Sequence, residues 1–370
     1  MRAFDLSLRS TPRRRCRVRI GRGALDRLVE ELAEGWPRGL FALVTDERVR
    51  ALHAEPLAGR LRGRGLRAEL LVLAAGETTK TWSAAGALVE RLGAIGADRE
   101  TVCVAVGGGV TSDVAGFVAS VWHRGIPVIH VPTTLLAMVD ASIGGKTGVN
   151  LAAGKNLVGT IHQPWGVYAD PEVLGSLAPA DYAAGLAEVV KLAAVADLGF
   201  FRWLESAARE LIAREPDAVE RAVVRSVQLK GRIVQRDERD AGPRAALNFG
   251  HTLAHAAEAV AGYRLSHGAA VSAGTCLEAR IATRVTGFPE RQARRIEDLL
   301  GGLGLPRRFP ESIAAEALLA ATRRDKKVRQ GRVRYALPCS LGRMPAGDDV
   351  TVPVADEIVR GVLTQSLPTA

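Results

Sequence analysis

The chain has 370 residues, 47% hydrophobic and 24% charged, with 39 glycines, so it can build two folded domains and is neither disordered nor fibrous. Its formal charge of +10 suits an anionic partner, whether a phosphorylated metabolite, a nucleic acid or an acidic membrane surface. Arginines such as Arg60, Arg62, Arg64 and Arg67 are spread along the chain without interleaved aromatics, which argues for solvated surface and against nucleic acid as a partner.

Cys16, Cys103, Cys276 and Cys339 form no CxxC and no disulfide framework, as in a protein of the reducing cytoplasm. Met1 to Asp5 lack the apolar core of a signal peptide, and no apolar run reaches membrane-spanning length. A cytoplasmic protein with no membrane partner is expected.

Residues 15–20 and 41–45 read as short strands, the first followed by Gly21 and a helix through about Glu34. A third strand, 69–73, runs into Ala75-Gly76-Glu77-Thr78-Thr79-Lys80, and a helix follows over 82–94. The apolar strand 101–106 ends in Gly107-Gly108-Gly109, and another strand spans 127–131. Strands alternating with helices predict an α/β, doubly wound, Rossmann-like sheet. After residue 172 the texture changes to helical periodicity, at 182–196, 199–213, 217–235, 252–262, 269–285, 289–302 and 312–323, with one short strand at Arg332 to Leu337. The expected division is an α/β domain over 1–171 and an all-α domain over 172–370.

Two glycine-rich stretches and one histidine cluster carry the chemistry. A strand ending in Gly107-Gly108-Gly109-Val110, then Thr111-Ser112-Asp113 opening a helix, lets backbone amides approach a pyrophosphate at a helix N-terminus. Glycines also serve turns alone, and the pattern is not GxGxxG. Asp140 to Asn150 brings a carboxylate and Lys146 into a second such stretch, but Asp140 stands where a P-loop needs its first glycine. Three of the seven histidines are His251, His255 and His267. The first two, four apart, share a helix face, where they either bind a metal or fill a half-buried surface. Thr252 occupies the glutamate position of HExxH, which disfavours a zinc protease.

Gly107 to Val110 with Asp113, Arg124-Gly125, Val131-Pro132-Thr133-Thr134-Leu135-Leu136, Asp140 to Lys146, Gly154-Lys155-Asn156, Ala187-Glu188-Val189-Val190-Lys191, Arg244 to His255 and His267-Gly268 follow one another in an order that resembles the sugar-phosphate cyclases. Within that group the chain is most similar to the 3-dehydroquinate synthase family, over about Thr45 to Lys327. Singly, Glu188 and Lys191 read as an i,i+3 surface pair and Asp113 as a helix cap; the joint order carries the resemblance.

The resemblance implies a two-domain cyclase with its site in the cleft, commonly homodimeric. It would turn the seven-carbon sugar phosphate DAHP into 3-dehydroquinate using catalytic NAD and a divalent metal, zinc or cobalt. It implies Glu188, His251 and His267 as metal ligands, leaving His255 to the substrate. Arg124, Lys146, Asn156, Lys191, Lys230, Arg244, Asn248 and one or both of Lys326 and Lys327 would surround the substrate, with Asp140 beside the metal or a substrate hydroxyl. Asp46, Glu77, Lys80, Gly108, Gly109, Asp113, Thr133, Thr134 and Ser176 would line the NAD site.

Three positions depart from the family pattern: Ser112 and Ala254 replace glycines, and Ala269 stands where glutamate is common. A lost carboxylate near a metal ligand weakens metal affinity or accompanies a shifted substrate. Related cyclases, aminodehydroquinate synthases among them, and metal-dependent polyol dehydrogenases are the alternatives.

Overall fold

The computed structural model describes residues 15–323, 328–329, 332–347 and 349–366. The first half runs β1 (Arg17–Ile20), α1 (Ala24–Gly35), β2 (Leu40–Asp46), α2 (Glu47–Val49), α3 (Glu55–Gly63), β3 (Arg67–Leu73), α4 (Trp82–Ala94), β4 (Val102–Gly107), α5 (Gly109–Val121), β5 (Val128–Pro132), β6 (Lys146–Leu151), β7 (Gly154–Ile161) and β8 (Gly166–Ala169). Six strands form one sheet in the order β1-β8-β5-β4-β2-β3, with every pair parallel.

Strands in such a sheet are buried on both faces, which is why β2 reads as an unbroken apolar run. Phe41 and Leu43 pack with Leu28 and Leu32 of α1 and Leu57 and Leu61 of α3, while Leu40, Ala42 and Val44 pack with Leu88 and Leu92 of α4 and Val114 and Val118 of α5. From β2 the chain goes outward to β3, then returns to β4 on the other side, so Asp46 and Gly107 end neighbouring strands. That reversal opens a crevice at the carboxyl edge of the sheet.

The second half runs α6 (Pro179–Ala196), α7 (Leu198–Ser206), α8 (Ala208–Ile212), α9 (Pro216–Arg236), α10 (His251–Val260), α11 (His267–Val285), α12 (Glu290–Gly302), α13 (Ala315–Thr322), β9 (Val328–Arg329), β10 (Arg332–Tyr335), β11 (Val352–Pro353) and α14 (Asp356–Leu363). Its core joins Leu186, Val189 and Val190 of α6 to Leu253 of α10 and Val271 of α11. Leu135, Met138 and Val139, from the segment after β5, belong to the same core, which holds the neighbouring Asp140 against the helices. No helix among the described residues is long and apolar enough to cross a membrane.

Several elements differ from the sequence reading. The second glycine-rich stretch, for which no strand was expected, runs from Lys146 into an antiparallel ribbon, β6 with β7, packed over α5. Glycines hide it from pattern reading: a Cβ on Gly159 would lie 2.1 Å from the carbonyl oxygen of Thr147, so the close crossing excludes the side chains that mark strands. The helix expected over 199–213 is two, α7 and α8, divided at Ala207. Besides the expected β10, the helical half carries β9 and β11, which pair with it in a small sheet.

Candidate active site and metal centre

Glu188 lies on α6, and His251 and His267 are the first residues of α10 and α11. Their ligand atoms all lie within 4.8 Å of one another. Both imidazole Nε2 atoms stand 3.3 Å from Glu188 Oε1. Close helix contact makes this possible. A Cβ on Gly268 would lie 2.2 Å from Cα of Ala184, and one on Gly274 would lie 2.2 Å from the carbonyl oxygen of Gly250. Gly250 itself sits at φ 81, so the turn into α10 also calls for glycine.

The outer nitrogens are held too. His251 Nδ1 faces the carbonyl oxygen of Phe249 and His267 Nδ1 faces Glu258 Oε1, each at 3.3 Å. Burial pushes the His251 imidazole down to about 4, helped by the nearby Lys191 ammonium. Burial acts the same way on His267, but its bonds to Glu188 and Glu258 outweigh it and push the ring up to about 10. Burial alone would raise Glu188, yet Lys191 and His251 hold it well below the usual carboxylate range. One ionised carboxylate and two imidazoles with fixed outer nitrogens fit a divalent first-row metal with coordination positions left open. His255, half-buried, sets its ring edge-on to that of His251 with centroids 5.3 Å apart and lies outside the ligand group.

Cations gather beside these ligands. Lys191 pairs with Glu188, and both side chains are buried, unlike a surface i,i+3 pair. Lys230 Nζ donates to the backbone oxygen and to Oδ1 of Asp140, both at 2.6 Å. Burial alone would raise the Asp140 carboxyl, but Lys230 holds it below its ordinary range. Arg244, buried, donates from Nη1 to the carbonyl oxygens of Gly144 at 3.1 Å and Glu238 at 2.8 Å, and its Nε is buried without a partner. Gly144 has to be glycine here, because a Cβ would meet the Arg244 guanidinium. Lys146 pairs with Asp240 at the start of β6, and half-buried Asn248 closes the turn before α10. Arg124 is exposed in a left-handed turn after α5, at φ 65. Lys326 and Lys327 lie outside the described residues.

At the carboxyl edge of the sheet, Asp46 Oδ1 accepts the amides of Arg48 and Val49, and its Oδ2 accepts Thr111 Oγ1 at 3.4 Å. Gly108 and Gly109 open α5, and the hydroxyls of Ser112 and Thr133 nearby are buried without partners. Thr134 caps the turn before Asp140 through the amide of Ala137. Lys80 bridges Asp113 and Asn156, so Asn156, expected at the substrate, stands beside two residues expected at the nucleotide. Glu77 accepts from Asn150 Nδ2, and Ser176 Oγ pairs with His53 Nε2 at 2.9 Å. Bare glycine backbone, a helix N-terminus and two unpartnered hydroxyls fit a dinucleotide pyrophosphate.

Sequence reasoning singles out neither Glu258 nor Glu278. Glu258 follows His251 by seven residues, which puts it on the same face of α10, and that spacing was the available signal. Glu278 comes from the neighbouring helix α11, and no spacing announces it.

A family model of the 3-dehydroquinate synthase N-terminal region matches residues 70–184, and one of its C-terminal region matches residues 185–328. The chain belongs to the 3-dehydroquinate synthase family. The N-terminal match contains the glycine loop and the ribbon, and the C-terminal match contains all three candidate metal ligands. A 3-dehydroquinate synthase of Paracoccus denitrificans is 44% identical over 356 residues, which cover 94% of this chain and 95% of that protein. Among solved structures, a 2-deoxy-scyllo-inosose synthase complexed with carbaglucose-6-phosphate, NAD+ and Co2+ superposes with a TM-score of 0.85 at 27% identity, covering 95% of this chain and 96% of its own. The 2-epi-5-epi-valiolone synthase of Streptomyces hygroscopicus, with NAD+ and Zn2+ bound, matches with a TM-score of 0.85 at 29% identity, covering 97% and 99%.

Proposed function

We propose that this chain is a carbon–oxygen lyase of its family's type, converting DAHP to 3-dehydroquinate and inorganic phosphate with catalytic NAD and zinc or cobalt. The observation that carries the reading is the convergence of Glu188, His251 and His267 with Lys191 and the Lys230–Asp140 pair. Relatives 38–44% identical over most of the chain bear the 3-dehydroquinate synthase name, and two structural neighbours hold NAD+ with Co2+ or Zn2+.

In this reading NAD supplies a reversible hydride acceptor and the divalent cation polarises substrate hydroxyls. Glu188, His251 and His267 hold the cation, and Asp46, Gly108, Gly109, Asp113, Thr133 and Thr134 hold the dinucleotide at the sheet edge. Arg244 binds an anionic substrate group through its fork, which its carbonyl contacts already aim. Lys191 and Lys230 add buried positive charge where a phosphate or carboxylate loses its water. Asp140 pairs with the Lys230 ammonium and opposes the downward push that burial exerts on it. His255 on α10, Asn248 just before that helix and Lys146 at the start of β6 would meet substrate hydroxyls, and Arg124 would add to the anion contacts. Fixing one substrate conformer leaves the protein little acid–base work.

The boundary between an NAD-binding domain over 1–171 and a metal- and substrate-binding domain over 172–370 is supported by the end of β8 at Ala169 and the start of α6 at Pro179. A cytoplasmic homodimer is the matching assembly. Phosphate release should be measured with DAHP and with the substrates of the inosose and valiolone cyclases. Release from DAHP alone supports the proposal, and release only from the others rejects it.

A further inference from the structure

We propose that Glu258 is a positioning residue for the metal ligand His267 and is itself held in place by Lys155. The inference rests on the metal reading above and goes beyond it, to the question of what fixes a ligand ring in a chain that carries Ala269.

The two histidine ligands are not equally constrained. The His251 side chain is 12% exposed and its outer nitrogen has a backbone carbonyl, which cannot move away from it. The His267 side chain is 34% exposed, and it is the first residue of its helix. An imidazole in that position can turn either nitrogen inward, and only a partner on one nitrogen selects the other as the metal donor. Glu188 Oε1 and Glu258 Oε1 stand on opposite nitrogens of this ring, each at 3.3 Å, so Glu258 on Nδ1 leaves Nε2 turned toward Glu188.

Glu258 suits this task because it is anchored. Its side chain is 3% exposed on α10, and the same Oε1 lies 3.3 Å from Lys155 Nζ on β7. Lys155 in turn lies over the ring of Tyr263, 4.5 Å from its centroid, just past the end of α10. A buried carboxylate in a helix needs compensating partners, and here those partners are a metal ligand and a clamped ammonium. Glu258 thus reaches His267 from a different helix, α10, in a chain whose position 269 carries no carboxylate.

Zinc affinity should be measured by competition with a chromophoric chelator, and the cobalt-substituted protein by its visible absorption, in Glu258→Ala, Glu258→Gln, Lys155→Met and His267→Ala variants. Thermal unfolding of the metal-free proteins checks that each folds. Glu258→Ala is expected to weaken zinc binding about 10–100-fold and to shift the cobalt bands. Glu258→Gln, whose amide oxygen can still accept from Nδ1, should lose less; it is the deciding variant if the alanine form does not fold. Wild-type zinc affinity and unshifted cobalt bands in both Glu258 variants would overturn the proposal. An effect at Glu258 with none in Lys155→Met would remove Lys155 from the arrangement. Unchanged zinc affinity in His267→Ala would overturn the ligand assignment itself, a different failure from that of Glu258.

Discussion

Glu278 on α11 accepts the backbone amide of Gly250 at 2.8 Å, and its other oxygen accepts that of Leu253 at 3.0 Å. A fully buried carboxylate thus caps the helix that begins at His251, a task commonly done by a residue just before the helix. Replacing Glu278 with alanine leaves two buried amides without their acceptor, at a cost of about 1–3 kcal/mol each. Denaturant unfolding should show that loss in the metal-free protein, and an unchanged midpoint would contradict the capping role.

Gly268 sets the distance between the helices carrying Glu188 and His267. The Cβ of a Gly268→Ala variant would fall 2.2 Å from the backbone of Ala184, which cannot rotate aside, so α6 and α11 must separate. Overpacking of this kind costs about 1–3 kcal/mol. The variant should melt earlier and retain less zinc after dialysis; a wild-type melting temperature with full zinc content would show that the contact is dispensable.

In the α/β half, Glu31 on α1 accepts from the Tyr168 hydroxyl at 2.7 Å, Arg27 Nε at 3.0 Å and Arg19 Nε at 3.2 Å, tying α1 to β1 and β8. Burial alone would raise its carboxyl, but these three partners hold it below the usual range. A carboxylate with a lowered folded-state pKa contributes stability that is full above the unfolded value of about 4.3 and is lost as pH falls through the lower folded value. Glu31→Gln should therefore be less stable than wild type at neutral pH, with the gap closing as the pH falls below about 4. A gap independent of pH across that window would contradict the assignment.

How much of this was legible before the structure depends on where the signal lives. The parallel sheet is written in apolar runs such as Leu40–Thr45, and Gly107 to Gly109 mark the end of β4 in the chain itself. Helical spacing paired His251 with His255, whereas the structure gathers His251 with His267 and Glu188 through contacts among three helices. Only the resemblance pointed to that set, because periodicity describes one helix at a time. Glu278 carries no such spacing, and the spacing that places Glu258 on the face of His251 does not reveal that it acts on His267 of another helix. The strand Gly166–Ala169 is only four residues long and buried on both faces, so it shows neither length nor alternation.

In the proposed reaction NAD would act as a catalyst and be returned unchanged. Purified protein with zinc, NAD and DAHP should release one inorganic phosphate for each dehydroquinate formed, with reduced nicotinamide absorbance staying flat throughout. Reduced nicotinamide accumulating in step with product, or turnover without phosphate release, would contradict it.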